Sequence, residues 1–263
     1  MAELWTLQPG DAPLIVNVPH AGVHVPADIA AGLTPIAKAT PDTDWHVHRL
    51  YEFVAGMGVT LMSATHSRIV VDLNRDPSGD ALYPGASNTE ICPTTTFHQQ
   101  DIYLPGCAPD ADEAGARVAR YWRPYHDKLA AEIERVHSLH GYCVLVDGHS
   151  IVSVAPRFFD GRLPDFNLGT ANGASCDAAL AARAFAVLSA AEGFSAVHNG
   201  RFKGGYITRH YGKPEKNVHA LQLEMAQCAY MNEAQPTPFD PGAAARLTVV
   251  LCQLVNSLLE WRA

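Results

Sequence analysis

An apolar run that ends in an acid and an imidazole constrains this chain more than any other stretch. Tyr142-Cys143-Val144-Leu145-Val146 lies between Gly141 and Asp147-Gly148-His149-Ser150. Its length and β-branched content predict a buried strand. Gly148 is expected to break that strand and deliver Asp147, His149 and Ser150 at its carboxyl end. Ligands in open α/β sheets bind outside the carboxyl ends of strands. Pro13-Leu14-Ile15-Val16-Asn17-Val18-Pro19-His20-Ala21-Gly22 has the same form. There a strand leads into a polar break that carries His20. Two histidines on two strand ends can converge on one metal ion. The bland reading is a turn-capping Asp147 and an ordinary loop histidine. The chain has thirteen histidines, so neither stretch decides the matter alone.

The remaining elements alternate. Val59 to Ala64 and Ser67 to Leu73 read as strands, the second ending in Asp72-Leu73-Asn74-Arg75. From Trp45 to Gly56, Val47, Leu50, Tyr51 and Val54 repeat at helical spacing, with Asp42 or Asp44 as N-cap. Residues 111–140 carry the strongest helical pattern. Pro124 is expected to kink or split it, and Gly141 to end it. Asp177 to Glu192 and Gly242 to Trp261 read as further helices. Phe194 to His198 and Val218 to Met225 read as strands, with Gln222-Leu223-Glu224 near the end of the last. This order predicts an α/β fold: a three-layer αβα arrangement on a mixed, mainly parallel central sheet. Residues 1–263 are expected to form one domain without internal repeats. Segments 76–110, 151–175 and 200–216 read as long loops, and connections of that length are usually functional.

Composition narrows the function classes. Hydrophobic residues make up 48% and charged residues 17% of the chain, enough apolar material for a large core. The net charge is −8 and no basic run is present. A nucleic-acid or anionic-membrane partner would need one. A small anionic substrate held by a local arginine stays compatible with that charge. No apolar run looks long enough to span a bilayer, and the N-terminus lacks a signal-peptide pattern. The expectation is a cytoplasmic protein, with no protein partner readable. The six cysteines are scattered without a Cys-x-x-Cys pair and read as packing residues.

The polar residues at the strand ends are His20, Asp42 and Asp44, Arg68, Asn74-Arg75, Asp147, His149 and Glu224. The inventory suits a mononuclear zinc hydrolase. Two imidazoles and a carboxylate hold the ion, and one position stays open for water. A further carboxylate takes a proton from that water. Arginines bind a substrate carboxylate in bidentate fashion. Each residue also has a structural reading, such as Asp42 or Asp44 as a helix cap and Arg75 as a partner of Asp72 or Asp76.

Six motifs in order carry a resemblance. They are Pro19-His20-Ala21-Gly22, Asp42-Thr43-Asp44-Trp45, Ser67-Arg68 with Asp72-Leu73-Asn74-Arg75, Cys92-Pro93-Thr94-Thr95-Thr96-Phe97, Asp147-Gly148-His149-Ser150 and Gln222-Leu223-Glu224-Met225. From about residue 12 to 255 the chain resembles the N-formylglutamate amidohydrolase (deformylase) family, which is similar in fold to zinc carboxypeptidases and aspartoacylases. By that resemblance Asn74-Arg75 receives a substrate carboxylate and Glu224 is the general base. The ion is expected on His20, His149 and a carboxylate. The short His-x-x-Glu ligand segment of carboxypeptidases is missing here, because Val23 stands three residues after His20 and His24 four after it. Asp44 is therefore the choice for the third ligand over Asp42, with His24 as competitor.

The activity implied is hydrolysis of N-formyl-L-glutamate to formate and L-glutamate, the last step of one histidine degradation route. Its two carboxylates need cations: Arg75 for the first and Arg209 for the second, with Arg68 serving the oxyanion or a carboxylate. The near alternative is a deacylase or carboxypeptidase acting on another N-acyl amino acid. The distant one is a non-catalytic binder of acidic amino-acid derivatives.

Overall fold

The structure, a computed structural model, describes residues 3–79 and 89–263. The strands are β1 (Trp5–Gln8), β2 (Leu14–Val18), β3 (Thr60–Ala64), β4 (Cys143–Ile151), β5 (Phe166–Gly169), β6 (Ala196–His198) and β7 (Val218–Ala226). They form one sheet in the order β1-β3-β2-β4-β7-β5-β6. The pairs β2/β3, β2/β4, β4/β7 and β5/β6 are parallel, whereas β1/β3 and β5/β7 are antiparallel. The sheet is mixed and mainly parallel, with helices packed on both faces.

Strand periodicity sorts the core. Val16, Val144, Val146, Leu221 and Leu223 point to one face, under the helices Ala178–Ser189 and Pro241–Leu259. Ile15, Leu145 and Ala220 point to the other, under Tyr125, Leu129, Ile133 and Val136 of the helix Arg123–His140. The central strands are covered on both sides, so they read as unbroken apolar runs. Pro241–Leu259 has a mean hydropathy of 1.5 and the length to cross a bilayer. That corrects the expectation that no such run exists. Here Leu247, Leu251, Leu254 and Leu258 recur at helical spacing and bury one side of it in the core.

Several expected elements differ. β4 does not break at Gly148 but runs to Ile151, so His149 lies inside the strand. Gly148 answers a packing need instead, because a Cβ there would lie 2.9 Å from the Tyr51 ring. Residues 67–73 are consecutive turns, not a strand. Their apolar side chains are buried, but β1 already occupies the free edge of β3. The expected helix over 45–56 is a short turn of helix, Val47–Leu50, followed by a 3₁₀ segment, Glu52–Met57. Neither Asp42 nor Asp44 caps it. The helical stretch 111–140 is continuous, and Pro124 is accommodated by a π-turn at Val118–Trp122 directly before Arg123–His140. The segment 151–175 contains β5, and 200–216 contains the helix Tyr206–Tyr211. Of the loop 76–110, residues 80–88 lie outside the described residues.

Candidate active site

Register builds the site. Asn17 of β2, Asp147 of β4 and Gln222 of β7 are aligned neighbours, and two residues on His149 is aligned with Glu224. Side chains two apart on a strand share a face. Asp147, His149 and Glu224 therefore emerge on the Arg123–His140 side of the sheet. His20 follows β2 directly. Asp44 is brought to it by the turn before Val47–Leu50, where the Asp44 N–H donates to the His20 carbonyl at 3.0 Å.

His20, Asp44 and His149 each offer a donor atom within 4.8 Å of the others, and all three are buried. His149 Nδ1 lies 2.9 Å and His20 Nδ1 3.8 Å from Asp44 Oδ2. Each ring is backed by a second carboxylate: His20 Nε2 lies 2.9 Å from Asp72 Oδ1, and His149 Nε2 lies 2.9 Å from Asp147 Oδ2. Such pairs fix the tautomer of a metal-bound histidine and orient its ring. His20 Nδ1 is buried without a hydrogen-bond partner. A buried lone pair of that kind is costly unless something binds it. Two imidazole nitrogens and a carboxylate oxygen are a donor set that zinc accepts, with a fourth position left over. The residues present fit a divalent ion.

The electrostatics agree with that fit. Burial lowers the His20 pKa, and the Arg68 charge adds to the effect. The ring is neutral, as a ligand must be. Burial also disfavours a charged His149, yet Asp147 and Asp44 hold its pKa well above the usual value. A bound cation at Nδ1 would replace that proton. Burial pushes Asp44 up, but His149, His20 and Arg68 hold it below the normal carboxylate range. Asp72 resists the same burial penalty through Arg68, whose Nη2 donates to its Oδ2 at 2.7 Å.

His20 and His149 open into a small pocket of about 60 Å³. Arg68, Arg75 and Arg201 line it, as do Phe97, Phe158 and Phe202. Arg68 also reaches Asp44 Oδ1 at 3.5 Å and lies over the Phe97 ring. Arg75 is oriented by the Thr89 carbonyl and hydroxyl and by the Asn74 carbonyl. Arg201 Nε donates to the Phe158 carbonyl at 2.6 Å. Glu224 lines the same pocket, and burial pushes its carboxyl up to about 7.

The family model for N-formylglutamate amidohydrolase matches residues 12–231. The chain belongs to the N-formylglutamate amidohydrolase family. An N-formylglutamate deformylase of Pseudomonas aeruginosa is 49% identical over 261 residues, 99% of this chain and 98% of that protein. The N-formylglutamate deformylase of Pseudomonas putida is 45% identical over 263 residues, covering 100% and 98%. The crystal structure of N-formylglutamate amidohydrolase from Ralstonia eutropha superposes with a TM-score of 0.81 at 26% identity, covering 97% of each chain. A protein from Agrobacterium tumefaciens, at 19% identity and a TM-score of 0.73 over 98% of this chain and 97% of its own, shares the fold.

In this amidohydrolase-family chain the expected residues fall into two groups. His20, Asp44, His149, Glu224, Arg68, Asn74 and Arg75 converge on one place. Arg209 does not line the pocket. It is exposed on the helix Tyr206–Tyr211, and its Nε donates to the Gly204 carbonyl at 2.9 Å. Asp42 stays outside the donor cluster and accepts the Phe97 N–H at 2.9 Å. His24 is exposed, with its ring 4.7 Å from His66. Asn74 turns inward: its Nδ2 lies 3.0 Å from His149 Nε2, and its Oδ1 accepts the Ile207 N–H at 2.8 Å. Gly205 makes room for this, since a Cβ there would fall 2.3 Å from Asn74 Nδ2.

Sequence reasoning passed over Asp72 and Arg201 as site residues. Asp72 stood inside a motif but read as the end of a strand. Arg201 stood in the glycine-bearing segment that was singled out, eight residues before the arginine that was chosen.

Proposed function

We propose that this protein hydrolyses N-formyl-L-glutamate to formate and L-glutamate with one divalent ion, zinc, held by His20, Asp44 and His149. The observation that carries the reading is a His-Asp-His donor set opening onto a pocket that Glu224 and three arginines also line. Both curated relatives above 40% identity carry the deformylase name. When bound, such an ion supplies Lewis acidity to a water and to the formyl carbonyl. On this reading residues 1–263 act as one hydrolase domain with a carboxypeptidase-like layout.

Glu224 is the proton carrier. A carboxyl at about 7 is matched to proton transfer near neutrality. It accepts a proton from the attacking water. The oxygen bonds to the formyl carbon, and the C–N bond breaks. Glu224 then passes the proton to the leaving nitrogen, so water is consumed and an amine and a carboxylic acid leave. Arg68, at the Asp44 edge of the pocket, stabilises charge on the carbonyl oxygen. Arg75 and Arg201 bind the two carboxylates of the glutamate moiety, with Arg201 in the role the sequence suggested for Arg209. Asn74 orients His149 and the turn at Gly205.

Phe97, Phe158 and Phe202 support one second reading, deacylation of an N-acyl amino acid with a larger acyl group. The test is formate release from N-formyl-L-glutamate, before and after chelation and zinc restoration, beside release of acid from acetyl and longer acyl analogues. Faster turnover of a longer acyl group would favour the second reading. Activity indifferent to chelation would remove the metal.

A further inference from the structure

We propose that Asn17 and Tyr125 are positioning residues for the metal centre. They lock the Asp147 carboxylate, and through it His149, in the orientation that turns Nδ1 toward the ion. The proposal rests on the metal reading above.

The chain of contacts is continuous and buried. Tyr125 Oη donates to Asn17 Oδ1 at 2.6 Å. Asn17 Nδ2 donates to Asp147 Oδ1 at 2.8 Å. Asp147 Oδ2 accepts from His149 Nε2 at 2.9 Å. Asn17 and Asp147 are wholly buried, with Tyr125 1% and His149 3% exposed. Three elements meet here: the helix Arg123–His140, β2 and β4, with Asn17 and Asp147 aligned across the β2/β4 ladder.

Each link has a direction. An amide has two unlike ends. With the phenol donating to Oδ1, the NH₂ end of Asn17 must face the carboxylate. Turned over, its carbonyl oxygen would oppose a carboxylate oxygen in a wholly buried position. Asp147 pinned at Oδ1 presents Oδ2 to His149. The ring then keeps its proton on Nε2 and its lone pair on Nδ1.

The two ligand histidines are supported differently. Asp72 behind His20 is bound by a guanidinium, Arg68. Asp147 behind His149 has, among the described residues, amide donors in place of an arginine or lysine: Asn17 at 2.8 Å and Asn74 at 3.4 Å. Its charge is left for the imidazole, which makes His149 the more basic ligand. Asn17 is also the polar exception in Leu14-Ile15-Val16-Asn17-Val18, a strand buried at every position. A buried amide is disfavoured without full bonding, and here both ends are used.

The test compares zinc affinity, by competition with a chromophoric chelator, in the full-length wild type, Tyr125→Phe, Asn17→Ala and Leu129→Ala. Leu129 is on the same helix and fully buried but touches none of these bonds, so it reports packing loss alone. Asn17→Ala is expected to weaken zinc binding by about tenfold or more, and Tyr125→Phe by about threefold or more. Leu129→Ala should lower Tm while its zinc affinity stays near wild type. Wild-type affinity in Tyr125→Phe and Asn17→Ala would overturn the proposal. If Asn17→Ala does not fold, Tyr125→Phe decides alone. A wild type that binds zinc but leaves N-formylglutamate intact overturns the substrate reading only. A wild type that binds no divalent ion overturns the metal reading and this proposal together.

Discussion

His149 and Glu224 stand side by side across the β4/β7 ladder, in parallel register. Adjacent strands lie about 5 Å apart, and aligned residues emerge on the same face. The proposed metal donor and the proposed proton carrier are thus neighbours through backbone pairing, with no loop between them. The same placement buries Glu224 and raises its pKa to about 7.

Replacing Glu224 by glutamine keeps the shape and removes the exchangeable carboxyl proton. kcat should fall by about 10²–10⁴-fold. Zinc content and Tm should stay near wild type, because Glu224 stands outside the donor cluster. Steady-state kinetics with metal analysis checks this. Undiminished turnover would take Glu224 out of the reaction.

Chelation should abolish deformylation, and stoichiometric zinc should restore it. His149→Ala and His20→Ala should fail to recover under the same treatment. Asp42→Asn should recover like wild type, since Asp42 serves the Phe97 N–H and not the donor set. Recovery in either histidine variant would show that the ion sits elsewhere.

Arg201→Met should reduce kcat/KM for N-formylglutamate by about 10–100-fold, mostly through KM, as expected for a charge-assisted bond of a few kcal/mol. Arg209→Met should leave kcat/KM almost unchanged, because Arg209 does not line the pocket. The reverse pattern would restore Arg209 to the role the sequence suggested.

Acid should loosen the Asn74-Arg75 segment through His126. Its Nε2 donates to the Leu73 carbonyl at 2.8 Å, its Nδ1 faces the Tyr211 hydroxyl at 3.0 Å, and it stacks on Trp122. Burial depresses its pKa from 6.5 to about 4. The folded state therefore binds fewer protons than the unfolded one between these values. Its contribution is complete above pH 6.5 and is lost as the pH falls through about 4, on the order of 3 kcal/mol. Urea melts across that range should show a shallower acid slope for His126→Gln than for wild type. Equal slopes would assign the acid sensitivity to other groups.

Much of this was legible in the chain. The apolar runs before His20 and before Asp147 predicted strands, and both are central in the sheet. The order of the motifs pointed to the family, and seven of the eight site residues chosen from the sequence gather in one place. Those features are local: a buried strand needs an apolar run, and a strand end places whatever follows it.

What the chain left open depended on where backbones pair and turn. Ser67 to Leu73 looked like a strand because apolar periodicity reports burial, and a buried turn satisfies it equally well. β5 was too short to stand out until β7 offered it an antiparallel edge. Arg201 and Arg209 share one segment and one chemistry, and the helix Tyr206–Tyr211 carries the second of them away from the pocket. Asp72, Asn17 and Tyr125 lie 52, 130 and 108 residues from the partners they bind in His20, Asp147 and Asn17. The residue types at strand ends and the family resemblance pointed to a hydrolase on a mixed, mainly parallel sheet. Register and packing decided which carboxylates back the two histidines and which arginine of that segment lines the pocket, because a contact is set by distance in space and not along the chain.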